Sequence, residues 1–374
     1  LIIASIILSS IYIAICFYLS RGLKNINVNY QNSTEKSVSV IICARNEEKN
    51  IDNILNCLCE QTYPKNLLQF IIVDDRSSDK TAEIILSYKE KLKNFAFVQI
   101  TEKQKDVAPK KYAFNSAIKI AEGEIILQTD ADSIVSADWI EKSVCPFCDK
   151  TVALSQGVVK YRFDEKISPI LKTYQFFDFY SHGIVAAAGI GKNIPLNANA
   201  NNFAFRREIY EELGGYGKLD VAIGGDDGLL TQNFWQNGKK IVFNANSFVE
   251  TKPEYSWKSL INQRKKWGSE TQFYLPKQTA ILAPVFIFYC FIICAILSTF
   301  IFWQIFYIIF LLFAIKIIGE LFFMRKGFLV LGEKTLSPHI IWISPLNLFI
   351  TIYSVFSGIF TEFEWKGERF KGKK

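Results

Sequence analysis

Three stretches of this chain carry no charged side chain: residues 1–19, 280–315 and 335–361. A helix needs ~20 apolar residues to cross a bilayer. The first stretch gives one such helix, and the second, carried on to Met324, gives two joined by a tight turn. The third is long enough for one more, but Pro338 and Pro345 interrupt it. Residues 20–279 mix polar and apolar positions as a soluble domain does. The pattern predicts a transmembrane helix over 1–20, a soluble domain over 21–279, transmembrane or re-entrant helices over 280–361 and a basic tail over 362–374. Residues 1–19 lack the basic start and small-residue cleavage site of a signal peptide, so a retained anchor is expected.

Within the soluble segment a second pattern repeats. Val38–Cys43, Phe70–Val73, Phe95–Ile100 and Glu124–Leu127 are short apolar runs rich in β-branched or aromatic residues, and they read as buried strands. Helical spacing follows the first, with Ile51, Ile54, Leu55 and Leu58 on one face. Further helices are expected from Thr81 and over 112–121. Strands alternating with helices imply an α/β fold with a mostly parallel sheet. Ligands of such folds sit at the carboxyl ends of the strands. Segments near 167–196 and 253–279 are expected as helices in the membrane interface. In the second, Trp257, Leu260 and Ile261 share a face, with Lys258, Arg264 and Lys265 nearby.

Acidic residues gather at these strand ends. Asp130 and Asp132 follow Ile125–Leu127, and on an extended segment residues i and i+2 point to one side. Both can then meet one hard cation, Mg²⁺ or Mn²⁺. Asp74 and Asp75 close the second strand, while Asp79, ahead of a helix, reads as a cap. Neither G-x-x-x-x-G-K-[ST] nor a G-x-G-x-x-G after the first strand is present. A diphosphate would be held by metal and side chains, which points to a nucleotide-sugar rather than ATP or NAD.

Composition narrows the classes. The net charge of +7 comes with no basic patch interleaved with aromatics, so nucleic acid is not an expected partner and anionic membrane lipid is. Two histidines leave little for a zinc site, and Cys145-Pro-Phe-Cys148 is expected to be a pair of ordinary thiols.

In order along the chain, seven segments resemble those of the membrane-anchored branch of the family 2 glycosyltransferases. Val38–Glu48, with Ala44, Arg45, Asn46 and Glu47, is similar to the opening segment that receives the nucleotide base. Val73–Asp79 resembles the second nucleotide motif, with Asp74 and Asp75. Lys110–Asn115 resembles Lys-x-x-Ala-Leu-Asn, with Phe114 in place of Leu. Thr129–Asp132 resembles the metal motif. The segment ending Asn202–Arg207 resembles Gly-x-Asn-x-Ala-Phe-Arg-Arg, with Ala200 where Gly is usual. Gly225-Asp226-Asp227 resembles Thr-Glu-Asp, and Gln263–Trp267 resembles Gln-x-x-Arg-Trp with Lys266 for Arg. Lysine offers a point charge there but not the planar fork of arginine.

The resemblance implies a GT-A-like domain that transfers a sugar, with inversion, from a nucleotide-sugar donor, UDP-linked by expectation, to a membrane lipid or glycan. Asp227 is the candidate base and Asp226 its rival, adjacent carboxylates being unranked by sequence. Asp130 and Asp132 would hold the metal. Ala44, Arg45, Asn46, Glu47, Asp74, Asp75, Lys110, Asp130, Asn202, Gln263 and Arg264 would contact the donor. Trp267 is either an acceptor platform or a plain interface anchor. A processive polysaccharide synthase and a non-catalytic nucleotide-sugar-binding scaffold are the competing readings. Trp365–Phe370 resembles the end of non-processive lipid and carotenoid glycosyltransferases, which favours single transfer.

Topology carries a conflict. Arg21 and Lys24 place the soluble domain in the cytoplasm, at a bacterial plasma membrane. Four spans would then put the basic tail, with Lys366, Arg369, Lys371, Lys373 and Lys374, outside. The expectation is that 335–361 breaks at Pro338 and Pro345 into a re-entrant or interfacial hairpin, leaving the tail inside.

Overall fold

The computed structural model describes residues 1–26, 30, 35–104, 107–216, 227–333, 338–365 and 368–371. Along the chain its elements are α1 (Ile2–Gly22), β1 (Val38–Ala44), α2 (Ile51–Cys59), β2 (Leu68–Asp75), α3 (Thr81–Leu86), β3 (Phe95–Ile100), α4 (Pro109–Ile118), β4 (Ile125–Asp130) and β5 (Ile134–Val135). Next come α5 (Trp139–Val144), β6 (Val152–Tyr161), α6 (Pro169–Ile190), β7 (Phe203–Arg206), α7 (Arg207–Glu212), α8 (Gly228–Gln236) and β8 (Lys240–Thr251). The chain continues through α9 (Trp257–Ser269), α10 (Pro276–Ser298), α11 (Phe306–Val330), α12 (Ile340–Phe360) and the hairpin β9 (Glu362–Trp365) and β10 (Glu368–Lys371). Two compact units result: one from 1–25, 164–196 and 254–374, the other from 26–163 and 197–253.

The second unit is a mixed sheet of eight strands in the order β3-β2-β1-β4-β7-β6-β8-β5. β3, β2, β1 and β4 are parallel, as the alternating pattern predicts. β7 then runs antiparallel to β4 and to β6, a reversal that the apolar runs did not foretell. Val38, Val40, Ile41 and Ile42 are fully buried, which explains why β1 reads as a continuous apolar run. On α2, Ile51, Ile54, Leu55 and Leu58 form the buried face. Each such side chain contributes about 1.5–3 kcal/mol of burial.

The other unit is helical. α1, α10, α11 and α12 are each long and apolar enough to cross a membrane. Ser168 and Ser256 cap α6 and α9 by accepting from the Leu171 and Ser259 amides. The hairpin expected over 335–361 is not formed: α12 is one helix that runs through Pro345. All eight cysteines are free thiols.

Candidate active site

In the sheet unit, register decides which side chains meet. Ala44 of β1 pairs with Asp74 of β2, and Cys43 pairs with Asp130 of β4. Ala44, Asp74 and Asp130 therefore line the carboxyl ends of three adjacent parallel strands, where an α/β sheet binds its ligand.

The loops above this edge are stitched together. Asn46 and Arg76 both hold left-handed backbone, at φ 54° and 57°. Such non-glycine conformations persist only where the surroundings impose them. The Asn46 amide donates to Ser77 Oγ at 2.9 Å, and its Oδ1 accepts from the Ser78 amide at 2.9 Å. The Glu47 amide donates to Thr81 Oγ1 at 2.8 Å, and the Glu48 amide to Asp79 Oδ2 at 3.1 Å. Burial alone would raise the Asp79 carboxyl, but hydrogen bonds from Thr81 and Glu48 hold it below the usual range. Asp79 is thus a staple between two loops, in keeping with its reading as a cap.

Asp74 and Asp75 differ. Arg76 forks onto Asp75, with Nε 2.7 Å and Nη2 3.1 Å from its two oxygens. Asp74 is 1 % exposed, and its Oδ1 has no hydrogen-bond partner among the described residues. A buried carboxylate oxygen left unpaired is costly and marks a place for an incoming donor. Glu47 accepts from Asn50 at 2.6 Å, and Arg45 is half-buried beside it.

Strand β4 ends at Asp130, and the Ser133 amide turns back onto the Asp130 carbonyl at 3.2 Å. Asp132 therefore stands in a turn rather than on the extended segment from which the pairing was expected. Both carboxylates are still half-buried, while Ala131 and Ser133 between and after them are buried. Lys110, near the start of α4, donates to Asp130 at 2.9 Å, and Thr251 donates to Asp132 at 3.4 Å. The Thr251 contact had no local signal, since β8 arrives from 119 residues away.

Asn202 is not available as a donor contact. Its Nδ2 donates to the Val158 and Ser247 carbonyls, both at 3.0 Å, and its Oδ1 accepts from Trp139 Nε1 and Ser247 Oγ, both at 3.1 Å. With 2 % exposure it is a clamp between α5, β6 and β8. Asp227 caps α8: its Oδ1 accepts from the Gly228 amide at 2.7 Å, and its Oδ2 from the Ala200 amide at 3.0 Å. It is half-buried and fixes the loop before β7 to the start of α8. Asp226 lies outside the described residues.

In the helical unit Arg264 departs from its expected role. It is 4 % exposed, and its Nε donates to Asp178 Oδ2 at 2.7 Å, with Nη2 on the same carboxylate. Its Nη1 donates to Gln263 Oε1. Asn347 Nδ2 donates to Asp178 Oδ1 at 2.8 Å. A guanidinium so engaged and desolvated is not presented to a diphosphate, and Gln263 is turned to Arg264 instead. The guanidinium carbon stands 4.0 Å from the Trp267 ring centroid, a cation–π contact. His182 meets the same ring edge-on at 5.0 Å, and Phe179 lies at 6.4 Å. Trp267 is thus held from several sides and stays partly exposed. Asp178 was missed in the sequence, although a lone acid inside Phe176–Tyr180 calls for a partner.

Comparison with known proteins bears on this geometry. Residues 39–214 match the model of glycosyl transferase family 2. The chain is similar to the probable glycosyltransferase YdaM of Bacillus subtilis, 30 % identical over 242 residues, which are 64 % of this chain and 56 % of the relative. It therefore spans little more than half of that relative's length. The β-monoglucosyldiacylglycerol synthase of Trichormus variabilis is 32 % identical over 116 residues, covering 30 % of this chain and 24 % of its own. Among solved structures, the mannosyltransferase PcManGT of Pyrobaculum calidifontis superposes with a TM-score of 0.59 at 19 % identity, over 94 % of this chain and 98 % of that one. That likeness is one of fold. The row of strand-end carboxylates thus lies within residues 39–214, the part of this chain that matches the glycosyl transferase family 2 model.

Proposed function

We propose that the protein is an inverting glycosyltransferase that moves a sugar from a nucleotide-sugar, UDP-linked by preference, to the hydroxyl of a membrane lipid or glycolipid. The observation that carries this reading is the edge formed by Ala44, Asp74 and Asp130, with an unpaired buried oxygen on Asp74 and no glycine-rich phosphate loop. The Asn46–Ser78 and Glu47–Thr81 bonds pre-shape the cradle for the base and ribose. Asp227 takes the proton of the acceptor hydroxyl, its position fixed by the amides of Ala200 and Gly228. One base acting on one face suits a single displacement, so the anomeric configuration inverts.

The donor set fits a hard divalent ion. Asp130 and Asp132 supply carboxylate oxygens, which Mg²⁺ and Mn²⁺ prefer. Among the described residues, no group of three or more His, Cys, Asp and Glu side chains could hold a metal ion by itself. That suits an ion bound together with phosphate oxygens. When bound, such an ion acts as a Lewis acid on the departing diphosphate. Lys110 holds Asp130 in place and adds positive charge at the same strand end.

A membrane acceptor is supported by the four long apolar helices and by a relative named as a glycolipid synthase. We read the soluble domain as cytoplasmic, at a bacterial plasma membrane. Single transfer is preferred to polymer export because of Lys316 and Glu320. They pair within the bundle, and Lys316 Nζ also donates to the Ser344 carbonyl and hydroxyl, both at 2.9 Å. Lys316 is fully buried, so this polar pair ties helices together rather than lining a path.

UDP binding to the purified protein tests the donor site. Calorimetry in Mn²⁺ should show binding that weakens at least ~10-fold in excess chelator, and likewise in Asp132→Ala, a lost second-sphere or direct ligand typically costing 10–100-fold. Equal affinity with and without chelator would remove the metal from the account.

A further inference from the structure

We infer that α12 does not cross the membrane but lies in its plane, with one face on the lipid of a single leaflet and the other clasping α9. The inference rests on α10 and α11 being membrane spans, not on the transferase reading.

Depth markers inside the helical unit carry it. Tyr289 of α10 donates to Glu320 of α11 at 3.2 Å, and Lys316 lies over the Tyr289 ring at 4.8 Å, so these residues share one level. Ser344 of α12 meets this level through Lys316. Phe356 of α12 packs on Phe286 of α10, ring centroids 5.7 Å apart. Phe286 lies only about 4.5 Å of helical rise from Tyr289, whereas Ser344 and Phe356 are separated by about 18 Å along α12. A helix running beside α10 and α11 would make its second contact about 18 Å deeper. α12 instead meets both neighbours at nearly one depth, so it runs across them.

Its other partners agree. Asn347 binds Asp178 of α6. Three turns on, Gly358 seats against α9 so closely that a Cβ there would lie 2.2 Å from the Lys265 carbonyl oxygen. Reciprocally, a Cβ on Gly268 would lie 2.3 Å from the Ser354 carbonyl oxygen. Only glycines allow backbones this near. α9 carries Lys258, Arg264, Lys265 and Lys266, and each such charge costs about 2.5–3.5 kcal/mol or more at the bilayer centre. The part of α12 that lies on α9 therefore shares an interfacial depth. Ser344, Asn347, Ser354 and Gly358 face these partners, whereas Ile341, Trp342, Phe349, Tyr353 and Phe360 are exposed. One face of α12 is thus taken up by protein, and the other is apolar and left for lipid. It also removes the charge conflict, because the tail then emerges on the side of Arg325 and Lys326.

The test is side-specific labelling of the full chain with a membrane-impermeant maleimide, in intact cells and in inverted vesicles, with the labelled site located by peptide mass. Trp303→Cys reports the exposed turn between α10 and α11, and Glu362→Cys the residue that opens β9; Thr361→Cys is a second reporter. The inference expects positions 303 and 362 to label from opposite faces, by at least ~10-fold each way. Labelling of both from the same face means that α12 crosses and overturns it. Equal labelling of Trp303→Cys from both faces overturns the membrane reading beneath it, and the inference with it.

Discussion

Asp178→Ala should be the most damaging single substitution in the helical unit, costing about 3–5 kcal/mol of stability. Asp178 and Arg264 are each 4 % exposed, so water screens neither. Removing the carboxylate leaves a guanidinium buried without its counter-charge, and it also strips Asn347 of its acceptor. The loss has two sources, desolvation of Arg264 and the loosening of α6, α9 and α12 from a common pin. Thermal unfolding in detergent would read it as a large drop in midpoint. Asp178→Leu combined with Arg264→Met, which removes both charges, should regain most of the loss. An Asp178→Ala protein that melts like the parent would show that the pair is not what holds these helices.

The largest expected effect on turnover is that of Asp227→Asn, a fall of at least ~100-fold, the usual range for a lost general base. Asparagine keeps the size of the side chain and one accepting oxygen, so the Gly228 amide at the start of α8 can keep its acceptor while the Ala200 amide loses its own. UDP affinity should then stay near that of the parent while transfer collapses. This split matters because Asp227 accepts two backbone amides, and a purely structural cap would show itself as a loss of both binding and fold. If Asp226→Asn instead gives the selective loss of transfer, the base is Asp226.

Much of the parallel half of the sheet was legible in the sequence. β1 is a mostly β-branched run that is buried along nearly its whole length, β3 is a half-buried edge strand rich in apolar residues, and both fall where the pattern put them. The acidic strand ends at Asp74 and Asp130 could be named because sequence position fixes which residue closes a strand. What escaped depends on distant segments. Asn202 sits in a motif that suggests ligand contact, but Val158, Ser247 and Trp139 consume all of its hydrogen bonds. Arg264 looks like a free cation until Asp178, 86 residues earlier, is brought beside it. Pro345 signalled a break, yet α12 continues through it, because one missing amide donor in a helix packed on α6, α9, α10 and α11 does not outweigh that packing.

The central claim is the transfer of one sugar to a membrane lipid with inversion. Its most direct test is product analysis after incubating purified protein, Mn²⁺ and lipid vesicles made from a bacterial membrane extract with a panel of radiolabelled UDP-sugars. Label from one donor should enter the organic phase as a monoglycosylated lipid, with a β-linkage formed from an α-linked donor. Label recovered only as free sugar or as a water-soluble polymer, or a lipid product that keeps the donor's configuration, would contradict it.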